Sequence, residues 1–274
     1  MSAHSVETAV VIVNYRTKEL TRQAASSVLG EAGVAELVIV DNGSADGSIE
    51  FLERELGDPR VVVVESPENV GFARGVNLGV QKCAAPLVLV LNSDATLAPG
   101  SLDRLRRTLL ADESVAVVAP AVYAENGELQ SGAYGSFPTI ASVLWRRRAT
   151  PGETVSPDWV SGVAMLMRRR DFESVGGFDP DFVMYLEDVD LCRRFRAAGR
   201  EIRRDPSAAA RHLVAQSWAS CGAPHDWLHQ SRVHYFRKAG ASRASRLAVE
   251  ALRIAYFATR RSPGRWAASQ RAPR

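Results

Sequence analysis

The stretch Leu87 to Leu97, LVLVLNSDATL, decides the fold. Five apolar residues in succession are the pattern of a strand buried on both faces of a parallel sheet, and the run stops at three polar residues, Asn92, Ser93 and Asp94. Asp94 is therefore expected at a strand's carboxyl end, the edge of an open α/β sheet where ligands bind. A carboxylate there has two readings. It is a turn residue ahead of Pro99-Gly100, or it is a ligand for a hard cation, since Mg²⁺ or Mn²⁺ is usually held by one or two carboxylates plus substrate phosphates.

Upstream, the same alternation repeats. Ala9 to Val13 (AVVIV) reads as a buried strand ended by Asn14-Tyr15, and Thr17 is placed to cap a helix reaching Leu29, closed by Gly30 and Gly33. Leu37 to Val40 is a second strand ending at Asp41. Its loop, NGSADGS, offers Ser44 or Asp46 as the cap of a helix through Leu56. Val61 to Val64 is a third strand, and a loop with Pro67 and Asn69 leads into a helix from about Gly71 to Lys82. Short apolar strands alternating with helices predict βαβ units, hence an α/β fold with a mostly parallel sheet and right-handed crossovers. Gly71, Gly75 and Gly79 recur every four residues, which predicts a closely packing helix face; the glycine signatures of dinucleotide and P-loop sites are absent. Asp41 is a turn former, or it accepts hydrogen bonds from a nucleotide base or ribose.

Downstream, Leu102 to Leu110 is a helix, Val115 to Val118 a strand, and ENGE (125 to 128) a hairpin signal. Residues 130 to 158, rich in Gly, Ser and Pro around Arg146 to Arg148, predict a long lid or binding loop. Val160 to Met167 is a strand interrupted by Gly162, a sign of close approach by a ligand or another backbone. In GGFDPDFVMYLEDVDLCRRFRAAG, residues 176 to 199, Glu187, Asp188 and Asp190 crowd the first turn of a helix that stops at Gly199. Acids there complement the helix dipole by about 0.3 to 1 kcal/mol each, and the same dipole favours the ionised carboxylate that a general base presents to a hydroxyl. His212 ends a short strand beginning near Ala208; it is structural, or a metal ligand if it faces Asp94.

The chain has 274 residues, enough for one large α/β domain with an appendage, or for two small domains. Its three cysteines, Cys83, Cys192 and Cys221, form no C-x-x-C, which points to neither disulfides nor structural zinc. The first ten residues, MSAHSVETAV, lack a leader pattern, and no apolar run approaches the roughly 18 residues of a membrane span, so a cytoplasmic protein is expected. The net charge of +3 is uneven. From His229 onward eleven Lys or Arg face one acid, Glu250, against 23 bases and 30 acids before it, so a tail of +10 follows a body of −7. From Pro224 onward, Trp227, Val233, Tyr235, Phe236, Leu247, Leu252, Ile254, Tyr256 and Phe257 interleave with the bases. They predict amphipathic helices that pack on the domain or dock on an anionic membrane at the inner face of the plasma membrane.

Taken together and in order, VIVNY, VDNGSADGS, ENVGFARGVN, LNSDATL, GGFDPDF, YLEDVDLCRR and His212 with Ser217 resemble the inverting glycosyltransferases of family 2, with the GT-A fold, and within them the bacterial rhamnosyltransferase-like branch. The resemblance covers about residues 8 to 218. It implies a GT-A catalytic domain over 1–222, with a nucleotide-sugar half to about 120 and an acceptor half from about 121, followed by the basic helical tail of 223–274. It also implies a dTDP- or UDP-sugar donor, with rhamnose favoured, a divalent cation (Mg²⁺ or Mn²⁺), and a glycan, polyprenyl-diphosphate-linked saccharide or small-molecule acceptor.

Carried onto this sequence, Asp188 is the base and Glu187 positions the acceptor or the helix. Asp41 contacts the base of the nucleotide, and Asn14, Tyr15, Asn69, Gly71, Arg74, Asn77, Asn92 and Ser93 belong to the donor side. Gly162, Gly177, Phe178 and Asp179 belong to the acceptor side, and Asp94 with His212 holds the metal. The first acid of the family's D-x-D is Asn92 here, one negative charge fewer for the cation. Two other classes compete. A sugar-nucleotide nucleotidyltransferase calls for a Gly-rich basic loop after its first strand, where this chain has NYRTKEL; a nucleic-acid-binding module is motivated by the basic tail alone and leaves the acids unexplained, so no nucleic-acid partner is expected.

Overall fold

The computed structural model describes residues 6–144, 155–213 and 224–240, with a few positions between 242 and 254. Arg146 to Arg148, Ser217, Cys221, Leu252, Tyr256 and Phe257 lie outside the described residues.

The first half alternates as its sequence predicts. Strand β1 (Thr8–Asn14) precedes α1 (Lys18–Leu29), β2 (Val34–Asn42) precedes α2 (Ser48–Leu56), and β3 (Val61–Ser66) precedes α3 (Phe72–Val80). Then come β4 (Leu87–Asn92), the short β5 (Ala95–Leu97), α4 (Ser101–Leu110) and β6 (Val115–Tyr123). The long loop predicted after the hairpin carries β7 (Tyr134–Gly135) and α5 (Ile140–Leu144), and β8 (Trp159–Val160) follows where the strand predicted from Val160 begins. The second half closes with β9 (Ala164–Arg168), α6 (Arg169–Ser174), α7 (Glu187–Ala197), β10 (Glu201–His212) and α8 (Pro224–Lys238).

Eight strands form one mixed sheet in the order β3-β2-β1-β4-β9-β6-β10-β5. The β3-β2-β1-β4 run is parallel, and β9 enters antiparallel between β4 and β6. Every apolar residue of Leu87 to Leu91 is buried, the consequence of helices covering both faces of a central strand. The interval-of-four glycines do pack closely: a Cβ on Gly79 would come 2.4 Å from Val11 Cγ1, so α3 lies against β1 at a distance only hydrogen allows.

Two predicted caps differ. The Thr17 side chain makes no cap bond to α1, because its hydroxyl points to Asn14 and Ser93, and α2 starts after Gly47, with Asp46 Oδ1 accepting from Ser48 N (3.1 Å). Ser44 instead accepts from the Arg16 N–H.

The helix predicted in the tail packs on the domain. Tyr235 and Phe236 of α8 are buried in a small second cluster with Phe182, Val189 and Val249. Lys238 Nζ reaches Asp179 (2.6 Å) and the fully buried Asp190 (2.8 Å). Ser231 Oγ donates to Met184 O.

Candidate active site

Strands β1, β2 and β4 end side by side, so their last residues share one edge. Asn14, fully buried, ties that edge together: its amide donates to Asp41 Oδ1 (2.6 Å) and Ser44 Oγ (3.2 Å), and its carbonyl accepts from the Thr21 hydroxyl (2.7 Å). Asn42 does the same for the next loop, donating to Asn69 Oδ1 and accepting from Val70 N. Gly71, at φ +85°, lets that loop meet the segment ahead of α7; a Cβ there would sit 2.5 Å from Val183 O.

Beyond the edge lies a cavity of about 80 Å³ whose walls include Tyr15, Asn42, Asn69, Gly71, Ser93 and Trp227. A second, of about 380 Å³, shares Phe72, Asn92, Asp94 and Met184 with it. Asp94, His212 and Gln130 line the second cavity, and so do Gly162, Glu187 and Asp188. The two acidic clusters, remote in sequence, thus open onto one space.

His212 reaches Asp94 through strand register. It pairs with Ala95 across β10 and β5, the next residue's N–H donates to Asp94 O, and the ring's Nε2 stands 3.0 Å from Asp94 Oδ1. Nδ1 stands 2.9 Å from Gln130 Oε1. A carboxylate oxygen and an imidazole nitrogen converging in a buried position suit Mg²⁺ or Mn²⁺, with phosphate oxygens completing the shell. Among the described residues Asp179, Asp181 and His234 also gather ligand atoms within 4.8 Å, but the Lys238 ammonium already occupies Asp179.

Asp188 sits in the first turn of α7. Its Oδ2 accepts from Gly162 N (2.9 Å) and its Oδ1 from Val189 N (2.7 Å), so the interrupted strand gives the acid a backbone donor. Tyr185 (φ +74°) and Leu186 (φ +66°) enter the helix in left-handed conformations that cost non-glycine residues about 1 to 2 kcal/mol each, strain of the kind concentrated at functional sites. The expected dipole effect on Asp188 is outweighed. Burial pushes its carboxyl up against the pull of the Gly162 and Val189 N–H groups. Burial, and then the charge of Asp188, push Glu187 well above the carboxylate range; Glu187 is buried, and among the described residues its Oε2 has no hydrogen-bond partner. The third acid, Asp190, forms an ion pair with Arg194 (2.8 Å) and Lys238.

The sequence profile described as glycosyl transferase family 2 matches residues 9–176, more than half the chain. The chain belongs to that family. A second profile, the N-terminal domain of galactosyltransferase, matches residues 153–215. This family 2 glycosyltransferase is 28% identical over 255 residues to N-acetylglucosaminyl-diphospho-decaprenol L-rhamnosyltransferase of Mycobacterium tuberculosis, covering 83% of this chain and 82% of that one. It is 46% identical over 57 residues to the rhamnosyltransferase WbbL of Escherichia coli, 21% of this chain and 22% of that one. In fold it resembles the Pyrobaculum calidifontis mannosyltransferase PcManGT, solved with GDP-Man and Mn²⁺ (TM-score 0.63, 18% identity, 90% of this chain and 69% of that one). It also resembles GalNAc-T7 with UDP, GalNAc and Mn²⁺ (TM-score 0.59, 17% identity, 76% and 44%). The GT-A architecture expected from its motifs is the one observed.

Within this glycosyltransferase, several expected ligand-binding residues turn elsewhere. Both Asp41 oxygens are engaged inside the loop, by Asn14 and by Ser44 N, and the side chain is buried away from both cavities; Asn14 is likewise internal. Arg74 donates to Pro180 O, and Asn77 grips the Phe178 backbone from both ends of its amide (2.7 and 2.9 Å). Gly177 packs on Asn77, Phe178 is a core ring between Phe72 and Phe172, and Asp179 is paired with Lys238 and His234. These residues hold α3, the GGFDPDF loop and α8 together. Gln130, Trp227 and Leu228 line the cavities without having been singled out as ligand contacts. Gln130 had a signal: the Asn-Gly turn folds it back so that its N–H donates to Val122 O, beside the strand of His212.

Proposed function

We propose that this glycosyltransferase moves a deoxyhexose such as rhamnose from a dTDP- or UDP-linked donor to an acceptor hydroxyl, with inversion at the anomeric carbon. One observation carries the reading: Asp94 and Asp188 line the same cavity of about 380 Å³, the setting a single displacement needs, with leaving-group stabilisation and proton removal serving one sugar. The nucleotide docks at the mouth of the smaller cavity, against Tyr15, Asn69 and Trp227, and the sugar enters the larger one past Asn92 and Asp94.

Asp94 and His212 would hold a divalent cation. Bound there with the donor, such a cation neutralises charge developing on the diphosphate leaving group. Asp188 takes the proton of the attacking hydroxyl; burial raises its affinity for a proton and makes it a stronger base than an exposed aspartate. Glu187 faces the acceptor beside it. Tyr15, Asn69 and Trp227 orient the donor, and the apolar surface of Phe72, Trp159 and Leu228 excludes water from the sugar.

The M. tuberculosis relative's name specifies an N-acetylglucosaminyl-diphospho-decaprenol acceptor, and this supports a polyprenyl-diphosphate-linked saccharide as the acceptor here. A thermal-shift screen of dTDP-rhamnose, UDP- and GDP-sugars with Mg²⁺ or Mn²⁺ tests the donor. Stabilisation by dTDP-rhamnose that depends on the cation is expected; stabilisation by none of the dTDP or UDP compounds overturns the assignment.

A further inference from the structure

The hydrogen bonds of His212 leave one atom whose chemistry needs explaining. Gln130 Oε1 is an acceptor with no proton to give, and it stands 2.9 Å from His212 Nδ1, so Nδ1–H is the donor. A neutral imidazole has one ring proton, and with that proton on Nδ1 the other nitrogen, Nε2, presents a lone pair. Nε2 stands 3.0 Å from a carboxylate oxygen of Asp94. Two lone pairs at that distance repel unless something positive lies between them, either a second ring proton or a cation, and both atoms line the cavity that also holds Asn92. Reversing the Gln130 amide by a half-turn gives the complementary arrangement, in which its NH₂ donates to Nδ1, the ring proton moves to Nε2, and Nε2–H donates to Asp94. An amide offers both a donor and an acceptor; neither a carboxylate nor an apolar side chain does.

We propose that Gln130 is a positioning residue that sets the tautomer of His212, its carbonyl turned to Nδ1 so that Nε2 faces a divalent cation beside Asp94, and its amide reversed when no cation is there. The inference rests on the reading of Asp94 and His212 as cation ligands. It deepens that reading by naming the group behind the imidazole. The hairpin that follows β6 supplies the rigidity this needs: Ala124 N donates to Glu128 O, Gln130 N to Val122 O, and Arg211, next to His212 on β10, donates to Glu125 O. The turn and the histidine strand are therefore locked to each other on both sides of the Gln130 side chain.

The test uses the full chain with UDP or dTDP, and reads free Mn²⁺ by electron paramagnetic resonance. Gln130→Leu is expected to weaken Mn²⁺ binding about 10- to 100-fold, the usual effect of removing a partner behind a metal-bound histidine. Gln130→Glu, which can only accept, retains Mn²⁺ binding. In wild type labelled with ¹⁵N-histidine, Mg²⁺ with the nucleotide is expected to give His212 the Nδ1–H signature, and its removal the Nε2–H signature. Gln130→Glu is expected to keep Nδ1–H in both states. Unchanged Mn²⁺ affinity in Gln130→Leu, or an Nε2–H tautomer in the Mg²⁺-loaded wild type, overturns the proposal. His212→Ala separates the two levels of failure: if it weakens Mn²⁺ binding while Gln130→Leu does not, only the role of Gln130 falls, and if neither does, the cation reading falls with it.

Discussion

Asp188 and Glu187 are neighbours in sequence with different surroundings. Asp188 faces the cavity with two backbone N–H groups on its oxygens, while Glu187 keeps a buried oxygen with no partner among the described residues. If Asp188 is the base, Asp188→Asn lowers kcat by about 10²- to 10⁴-fold and leaves donor affinity nearly intact, measurable by single-turnover assay beside calorimetry; a matching loss of donor affinity would reassign it to binding. Glu187 makes a separate prediction about stability. Its folded proton affinity is raised, so the folded state holds a proton that the unfolded chain releases above about pH 4.5. Stability should therefore fall as pH rises from that value toward the raised pKa, and Glu187→Gln should flatten the decline. Melting temperatures of both proteins from pH 5 to 8 check this; parallel curves would remove Glu187 as the cause. The presence of an acid pair was legible in YLEDVDL, but its charge state was not, because the helix dipole is a local term and desolvation depends on what the fold packs around it.

At the level of elements, legibility followed locality. LVLVLNSD announced a buried strand ending in a polar edge because both signals lie within a few residues. The crowding of Gly75 and Gly79 against β1 was readable from their spacing. The direction of a side chain from a helix or loop was not: Asn77 and Phe178 carry motif positions, yet tertiary packing joins them to each other and away from the cavities. Helix α8 follows one of the two readings its basic amphipathic sequence left open, packing on the domain. It anchors through Lys238 to Asp179 and Asp190, and through Ser231 to the Met184 carbonyl, two residues before the left-handed Leu186. Its amino-terminal part contributes Trp227 to the smaller cavity and Leu228 to the larger. An aromatic wall against a nucleotide is worth about 1.4 kcal/mol, a factor of ten in affinity. Trp227→Ala should accordingly raise donor KM about tenfold with kcat little changed, and Trp227→Phe should restore most of it. A kcat loss at unchanged KM would place Trp227 on the acceptor's path.

Across the whole molecule, charge is divided between a body of −7 and a tail of +10, and the described part of that tail beyond α8 keeps Arg243, Leu247 and Ile254 exposed. Among the described residues no helix is long and apolar enough to cross a membrane. A lipid-linked acceptor would require the cavity to meet a bilayer surface, and α8 would provide the connection, because the helix that lines the cavities precedes the basic segment in sequence. Basic residues near an anionic surface contribute about 1 kcal/mol each, and an acidic body makes the attraction directional, turning the tail toward the lipid. The full chain should therefore co-sediment with vesicles containing anionic phospholipid and not with purely zwitterionic ones. The binding should disappear at about 1 M salt, where the screening length shrinks to about 3 Å. Retention at that salt would point to insertion of Leu247 and Ile254 instead of electrostatic docking, and no binding to anionic vesicles at low salt would leave the tail without a membrane role.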